Sequence, residues 1–273
     1  MIVNMKYLLQ QARNEGYAIP QFNINNLEWA RFILEACEEK KSPVILGVSE
    51  STVAYMGGYQ TVSHIVEDLV QYLNITIPIV LHLDHGRTIE ACKAAIDAGF
   101  TSVMIDASYY DITKNIEMTN EVIHYAKKRD VSVEGEIGQI GSRSTDINQI
   151  LLYVEKTNLD ALAPALGSIH GIGKEDINLD FETMNFLKRN IEIPLVLHGA
   201  SGIEDRKIAK AISCGICKFN VNTDLQIEWT KEVRKFLENN NSCDPRKIIK
   251  AGETAMKKII YTKISLFGSY KKA

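Results

Sequence analysis

Eight short apolar runs alternate with amphipathic stretches along the 273 residues, and that alternation predicts an α/β fold, a (β/α)8 TIM barrel. Two further observations favour a closed parallel sheet over a doubly wound one. The runs are mostly apolar rather than alternating, as strands covered on both faces require. Their number is the eight that a barrel needs, and the links between runs and stretches are short.

The first run, 17–22, follows Gly16, a residue suited to stop a helix. The stretch 28–40 leads to the second run, 43–48, and 61–73 leads to the third, 77–83. Stretch 88–98 passes through Gly99 into the fourth run, 101–105. Stretches 114–128 and 147–157 precede the runs 131–137 and 161–166. Stretch 181–189 precedes 193–197, and 204–213 passes through Gly215 into the eighth run, 216–221. A helix over 224–238 follows, and a final one is expected over 245–267. No linker, charge block or low-complexity segment divides the chain. The expectation is one barrel domain over 1–273, with a C-terminal helical extension from about 239 to 273.

Composition narrows the class. At 45% hydrophobic and 24% charged the chain is ordinary globular material. A net charge of -3 offers no basic field for nucleic acid or an anionic membrane. No apolar stretch approaches the roughly 20 residues that span a bilayer. Residues 1–16 lack the long apolar core of a signal peptide, so a cytoplasmic location is expected. Five cysteines do not read as a disulfide framework. The lone C-x-x-C of Cys214 and Cys217 reads as two small apolar residues near a helix end and a strand.

In a barrel of this kind, functional groups gather at the C-terminal strand ends. Those ends carry Asn23 and Asn25, Ser49, Asp84 and His85, Asp106, Glu134 and Glu136, His170, His198, and Asn220 and Asn222. Three of the six histidines, His85, His170 and His198, each close an apolar run and are each followed by glycine. Imidazole is a good zinc ligand, and a catalytic zinc takes three protein ligands and one open position. Three such strand ends suggest one metal site. Residues two apart on a strand share a face, so His82 and Asp84 point together and His85 enters the site only if the chain turns at Gly86. His82 then reads as a hydrogen-bonded core histidine, and His64 and His124 as helix-face residues. Asp84 has two readings, a general base beside a metal-bound substrate or a partner that orients a histidine. Gly199-Ala200-Ser201-Gly202 and Asn220-Val221-Asn222-Thr223-Asp224, after runs seven and eight, look like an anion site at a helix start. Lys218, near a strand end, reads as structural or phosphate-facing in preference to a Schiff-base lysine.

Together these segments resemble the class II, metal-dependent fructose-bisphosphate and tagatose-bisphosphate aldolases. The likeness rests on Gln21-Phe22-Asn23, on Ser42-Pro43-Val44-Ile45 with Ser49, and on Leu81-His82-Leu83-Asp84-His85-Gly86. It continues through the 99–106 segment, the 163–171 segment, Leu197-His198-Gly199, Lys218-Phe219-Asn220-Val221-Asn222-Thr223 and Asp244-Pro245-Arg246-Lys247. The resemblance implies that His85, His170 and His198 hold Zn2+, which polarises the substrate ketone. It implies that Asp84 takes the C4 hydroxyl proton during cleavage of fructose 1,6-bisphosphate, with tagatose 1,6-bisphosphate as the alternative. Asn220 would contact the dihydroxyacetone phosphate half. Gly171, Lys174, Gly199, Ser201, Asn222 and Thr223 would surround its phosphate, with a monovalent cation, Na+ or K+, nearby. Asn23 and Ser49 match substrate-facing positions, and Asp106 and Glu136 match ligands of an alternative buried metal position. Arg246 matches an arginine that reaches the other phosphate across a subunit interface, which implies a homodimer or homotetramer.

One segment departs from the family pattern. After Glu134-Gly135-Glu136-Ile137-Gly138-Gln139-Ile140-Gly141 the family carries a long loop with a glutamate that serves the enediolate carbon as proton donor. Here Ser142-Arg143-Ser144-Thr145-Asp146 leads almost directly into the next helix. Asp146 is the only nearby carboxylate, and it reads as the cap of a helix beginning at Ile147. The lead-in to Lys174, Gly171-Ile172-Gly173, is also altered. A metal-binding relative with weak or altered activity is therefore a further alternative.

Overall fold

The computed structural model describes residues 1–139, 145–169, 171 and 177–273. His170 and Lys174 lie outside the described residues. The eight strands are β1 (Ile19–Asn23), β2 (Val44–Ser49), β3 (Ile79–Gly86), β4 (Ser102–Ile105), β5 (Ser132–Ile137), β6 (Ala161–Pro164), β7 (Leu195–Leu197) and β8 (Ile216–Val221). They run parallel in chain order and close into a barrel through the pairing of β1 with β8. The helices lie outside it: α1 (Met5–Glu15), α2 (Leu27–Glu39), α3 (Glu50–Tyr55), α4 (Tyr59–Tyr72), α5 (Ile89–Asp97) and α6 (Ile112–Lys127). They continue with α7 (Ile147–Lys156), α8 (Phe181–Asn190), α9 (Asp205–Ser213), α10 (Thr223–Asn239), α11 (Pro245–Lys250) and α12 (Glu253–Phe267).

The apolar alternation divides the core in two. Side chains such as Phe22, Leu46, Leu81, Val103 and Phe219 face outward from the strands and pack under the helices. A smaller cluster fills the barrel floor, where Ile19, Ile45, Val80, Ala161, Ala163 and Val196 meet Met5, Leu8, Leu9 and Ala12 of α1. Asn4 starts α1 by accepting from the Lys6 N–H, and Gly16 ends it in a left-handed conformation. Gly99 and Gly215, the other two expected helix stops, also have positive φ.

Several boundaries differ from the expectations. The run at 17–22 loses Tyr17 and Ala18 to the link after α1, and the strand begins at Ile19. α3 is an unexpected short helix, nucleated by Ser49, whose hydroxyl accepts from the Thr52 N–H. The final helix is divided at Ala251-Gly252, where the Trp229 indole N–H donates to the Ile249 carbonyl at 3.1 Å. Cys214 and Cys217 are both buried free thiols, as expected. Among the described residues, no helix is long and apolar enough to cross a membrane.

Glu38, at the end of α2, fastens the link into β3. Its carboxylate accepts from the Thr76 N–H at 2.8 Å, the Thr76 hydroxyl at 2.8 Å and the Ile77 N–H at 3.2 Å, and it pairs with Lys41. Burial opposes ionisation, but Lys41 and these donors outweigh it and bring the carboxyl down to about 2. The folded value lies below the ordinary 4.5, so the stabilisation is full above 4.5 and is lost as pH falls toward 2. Glu38→Gln is expected to cost about 1 kcal/mol at neutral pH, a small figure because the pair is partly exposed. Melting curves of variant and parent should converge in acid.

Candidate metal centre and active site

β2 and β3 pair in register, with Gly47 opposite His82 and Ser49 opposite Asp84. Alternation sends His82 and Asp84 into the barrel. His85 departs from it. The expected turn at Gly86 falls instead on His85 itself, whose φ is 54°, a left-handed value uncommon for a side chain of this size. The pairing of β3 with β4 slips between Leu83 and Gly86 at the same place. Two consecutive side chains thereby reach one site. Gly86 is needed for the close approach, because a Cβ there would lie 2.7 Å from the Met104 carbonyl oxygen.

At the top of the barrel, Nε2 of His85 and Nδ1 of His198 face each other at 3.0 Å, with their rings nearly perpendicular at 74°. The far nitrogen of each ring meets a carboxylate. His85 Nδ1 lies 3.0 Å from Asp106 Oδ2, and His198 Nε2 lies 2.7 Å from Glu134 Oε1. Both oxygens of Asp84 accept from side-chain amides, Oδ2 from Asn23 at 2.8 Å and Oδ1 from Asn220 at 3.1 Å. The ligand atoms of Asp84, His85 and His198 fall within 4.8 Å of one another, as do those of His85, Asp106 and Glu136. Convergent imidazoles, each backed by a carboxylate, suit a divalent transition metal. The residues present therefore fit the metal that the resemblance implies.

Charge in this cluster is finely divided. Burial alone would raise the Asp84 carboxyl, but His85, His198 and Lys218 hold it well below the usual carboxylate range. Burial pulls His85 down, yet Asp106, Asp84 and Glu136 lift it to about 9 in the absence of a cation. Glu136 is pushed up to about 8 by burial and by the neighbouring Asp106. His82 is lowered to about 3 by burial and then by Lys218. It stays neutral, with Nδ1 2.8 Å from the Ser102 hydroxyl, and is the core histidine expected.

Below these groups lies a pair that strand-end reasoning did not assign. Lys218 and Glu134 are fully buried, and Nζ sits 2.6 Å from Oε2. Lys218 is therefore structural and does not face a phosphate. The alternation of Glu134 and Glu136 placed both on one face, but nothing in the local sequence names the lysine on the facing strand.

A cavity of about 220 Å³ opens over the cluster. Its lining is Asn23, Ser49, Asp84, His85, Gly171, Gly199, Ser201, Asn220, Asn222 and Thr223, all of them residues singled out from the sequence. Thr223 opens α10, so a helix N-terminus meets the cavity. The adjoining loop is clasped: Gly202 N–H donates to Asp224 Oδ1 at 3.1 Å, and Asp224 N–H donates to Ser201 Oγ at 3.3 Å. Lys263 of α12 neutralises Asp224 from 2.7 Å. Asn25 does not join the site and instead lines a separate groove with Trp29, Tyr55 and Trp229. Arg246 stays apart from its own cavity, 88% exposed and paired with Asp244 at 3.0 Å. Asp146 caps α7 through the Asn148 N–H at 2.9 Å, as expected.

A closed (β/α)8 barrel with paired imidazoles and a clamped carboxylate at its C-terminal strand ends is the framework of a metal-binding barrel enzyme. Residues 3–272 match the family described as "Fructose-bisphosphate aldolase class-II", and the chain belongs to that family. It is 49% identical to a fructose-bisphosphate aldolase of Geobacillus stearothermophilus, over 100% of this chain and 99% of the relative. It is 47% identical to a 6-phospho-5-dehydro-2-deoxy-D-gluconate aldolase of Bacillus subtilis strain 168, over 99% of this chain and 97% of the relative. The crystal structure of the YdjI aldolase from Escherichia coli K12 superposes with a TM-score of 0.91 at 35% identity, over 100% of both chains.

Gly86→Ala tests the packing that places His85. The added methyl meets a strand backbone, so a loss of about 1–3 kcal/mol is expected in chemical denaturation.

Proposed function

We propose that the chain is a Zn2+-dependent aldolase that cleaves fructose 1,6-bisphosphate to dihydroxyacetone phosphate and glyceraldehyde 3-phosphate. The observation that carries this reading is the ionised Asp84, fixed through both oxygens beside the facing nitrogens of His85 and His198. His85 and His198 would hold the metal, with His170 as the third ligand. Bound there, zinc supplies the Lewis acidity that polarises the substrate ketone. Asp84 accepts the C4 hydroxyl proton as the C3–C4 bond breaks. Asn23 and Asn220 keep its carboxylate aimed into the cavity. The α10 N-terminus, with Gly199, Ser201, Asn222 and Thr223, receives the phosphate of the dihydroxyacetone phosphate half. Gly171, Lys174 and a monovalent cation would complete that pocket, as the family resemblance implies. Arg246, exposed and remote from its own cavity, suits service to the second phosphate in a partner protomer of a homodimer or homotetramer.

The Bacillus subtilis relative supports a second reading. Breaking the C3–C4 bond of 6-phospho-5-dehydro-2-deoxy-D-gluconate also releases dihydroxyacetone phosphate. The same metal and phosphate half-site serves both, and the substrates differ in presenting a phosphate or a carboxylate at the far end. Asp146 is committed to capping α7, which supports slow turnover with either substrate.

Metal-replete protein assayed on fructose 1,6-bisphosphate, tagatose 1,6-bisphosphate and the deoxygluconate separates these readings. Preference for the third compound removes the fructose assignment, and rapid turnover on any of them removes the weak-enzyme one. Chelator should abolish activity and Zn2+ restore it. His198→Ala should lose metal. Asp84→Ala should keep metal and lose about 10²–10⁴-fold in kcat. Equal metal loss in both variants would make Asp84 a structural residue. Lys263→Met leaves Asp224 uncompensated beside the phosphate loop. It should raise KM by about 5–10-fold with kcat little changed, the pattern of weakened ground-state binding.

A further inference from the structure

Lys218 projects from the middle of β8 into the barrel, beneath the cavity and outside its lining. Nothing in the proposed reaction uses it. A fully buried ammonium is expensive to keep, so its pairing with a buried carboxylate calls for a physical reason. Among the described residues, Glu134 has two potential histidine partners. His198 Nε2 is 2.7 Å from Oε1, whereas His82 Nε2, buried without a hydrogen-bond partner among the described residues, is 3.8 Å from Oε2. A carboxylate free to turn about its last torsion could serve either ring.

We propose that Lys218 is a positioning residue for the metal: by holding Oε2 of Glu134 it reserves Oε1 for His198. With the imidazole proton on Nε2 directed at Oε1, the remaining lone pair of His198 lies on Nδ1. That nitrogen faces His85 Nε2 at 3.0 Å, beside Asp84. Lys218 thus selects the tautomer and ring orientation that can bind a cation, acting through two intervening groups. The carboxylate behind a metal-binding histidine is a general device, and here a cation one step further back fixes which oxygen the histidine receives.

This inference rests on the metal reading above, so the experiment separates the two. Full-length protein is stripped of metal, and Zn2+ affinity is measured by competition with a chromophoric chelator. Lys218→Met is expected to weaken the Zn2+ Kd by about 10–100-fold. In the 15N spectrum of histidine-labelled apoprotein it is expected to erode the Nε2–H form of His198. Glu134→Gln should weaken Zn2+ comparably, and adding Lys218→Met to it should change Kd by less than about 2-fold, because the lysine acts only through Glu134. Wild-type Kd and tautomer in Lys218→Met, or additive losses in the double variant, would overturn the proposal. If the lone buried carboxylate of Lys218→Met prevents folding, the charge-neutral double variant carries the test, and a wild-type Kd there overturns it. His198→Ala is the control. If it retains zinc, the metal reading falls and this one with it. If it loses zinc while Lys218→Met does not, only the positioning role falls.

Discussion

Closing eight parallel strands into a ring sends every second side chain into an interior that water does not fill, and the barrel resolves this in levels. The floor is apolar and is sealed by α1. The middle holds His82, hydrogen-bonded through Nδ1 to Ser102, and Glu134, paired with Lys218. The top holds Asn23, Asp84, Asp106, Glu136, His198 and Asn220, where polar groups converge on a cavity. Because residues two apart share a face, each level fixes the one above it. Val80, His82 and Asp84 are three rungs of one strand serving three purposes.

The middle level is not a device for stability. A buried ion pair recovers its desolvation cost only with good geometry, and apolar replacements are often as stable. What Lys218–Glu134 supplies is orientation. The left-handed His85 is similar in kind, since a strained residue persists only where its surroundings enforce it. The slip between β3 and β4 and the bare Cα of Gly86 enforce it here.

Much of this was legible in the sequence because strand-end chemistry is local. Apolar runs and the residue types closing them located Asn23, Ser49, Asp84, His85, Asn220 and Asn222 of the cavity lining. The loops after runs seven and eight pointed to Gly199, Ser201 and Thr223, and Gly171 came with the family resemblance. The three histidines before glycine point to one metal site, of which His85 and His198 converge beside Asp84 while His170 lies outside the described residues. As metal ligands, Asp106 and Glu136, beside His85, match the resemblance rather than any local pattern. What sequence hid was relational. Which lysine faces Glu134 depends on shear across the ring, a property of all eight strands together. Conformational preference points to Gly86 for the turn, whereas the strand slip places it on His85. α3 has only six residues, too few for a readable period, and a single serine cap starts it.

The seam of the barrel pairs Ile19 with Lys218, so everything between them must be synthesised before the ring can shut. Until then the nascent sheet carries two open edges, rows of unpaired donors and acceptors that template pairing with other chains. Such distant parallel contacts also form slowly. The loop at 199–202 waits longer still, because the ammonium that neutralises Asp224 is supplied by α12, downstream of the seam. A chain interrupted during translation is therefore not a smaller catalyst but an adhesive fragment. This architecture ties ring closure to completion of β8, and until then the open sheet edges are exposed to aggregation.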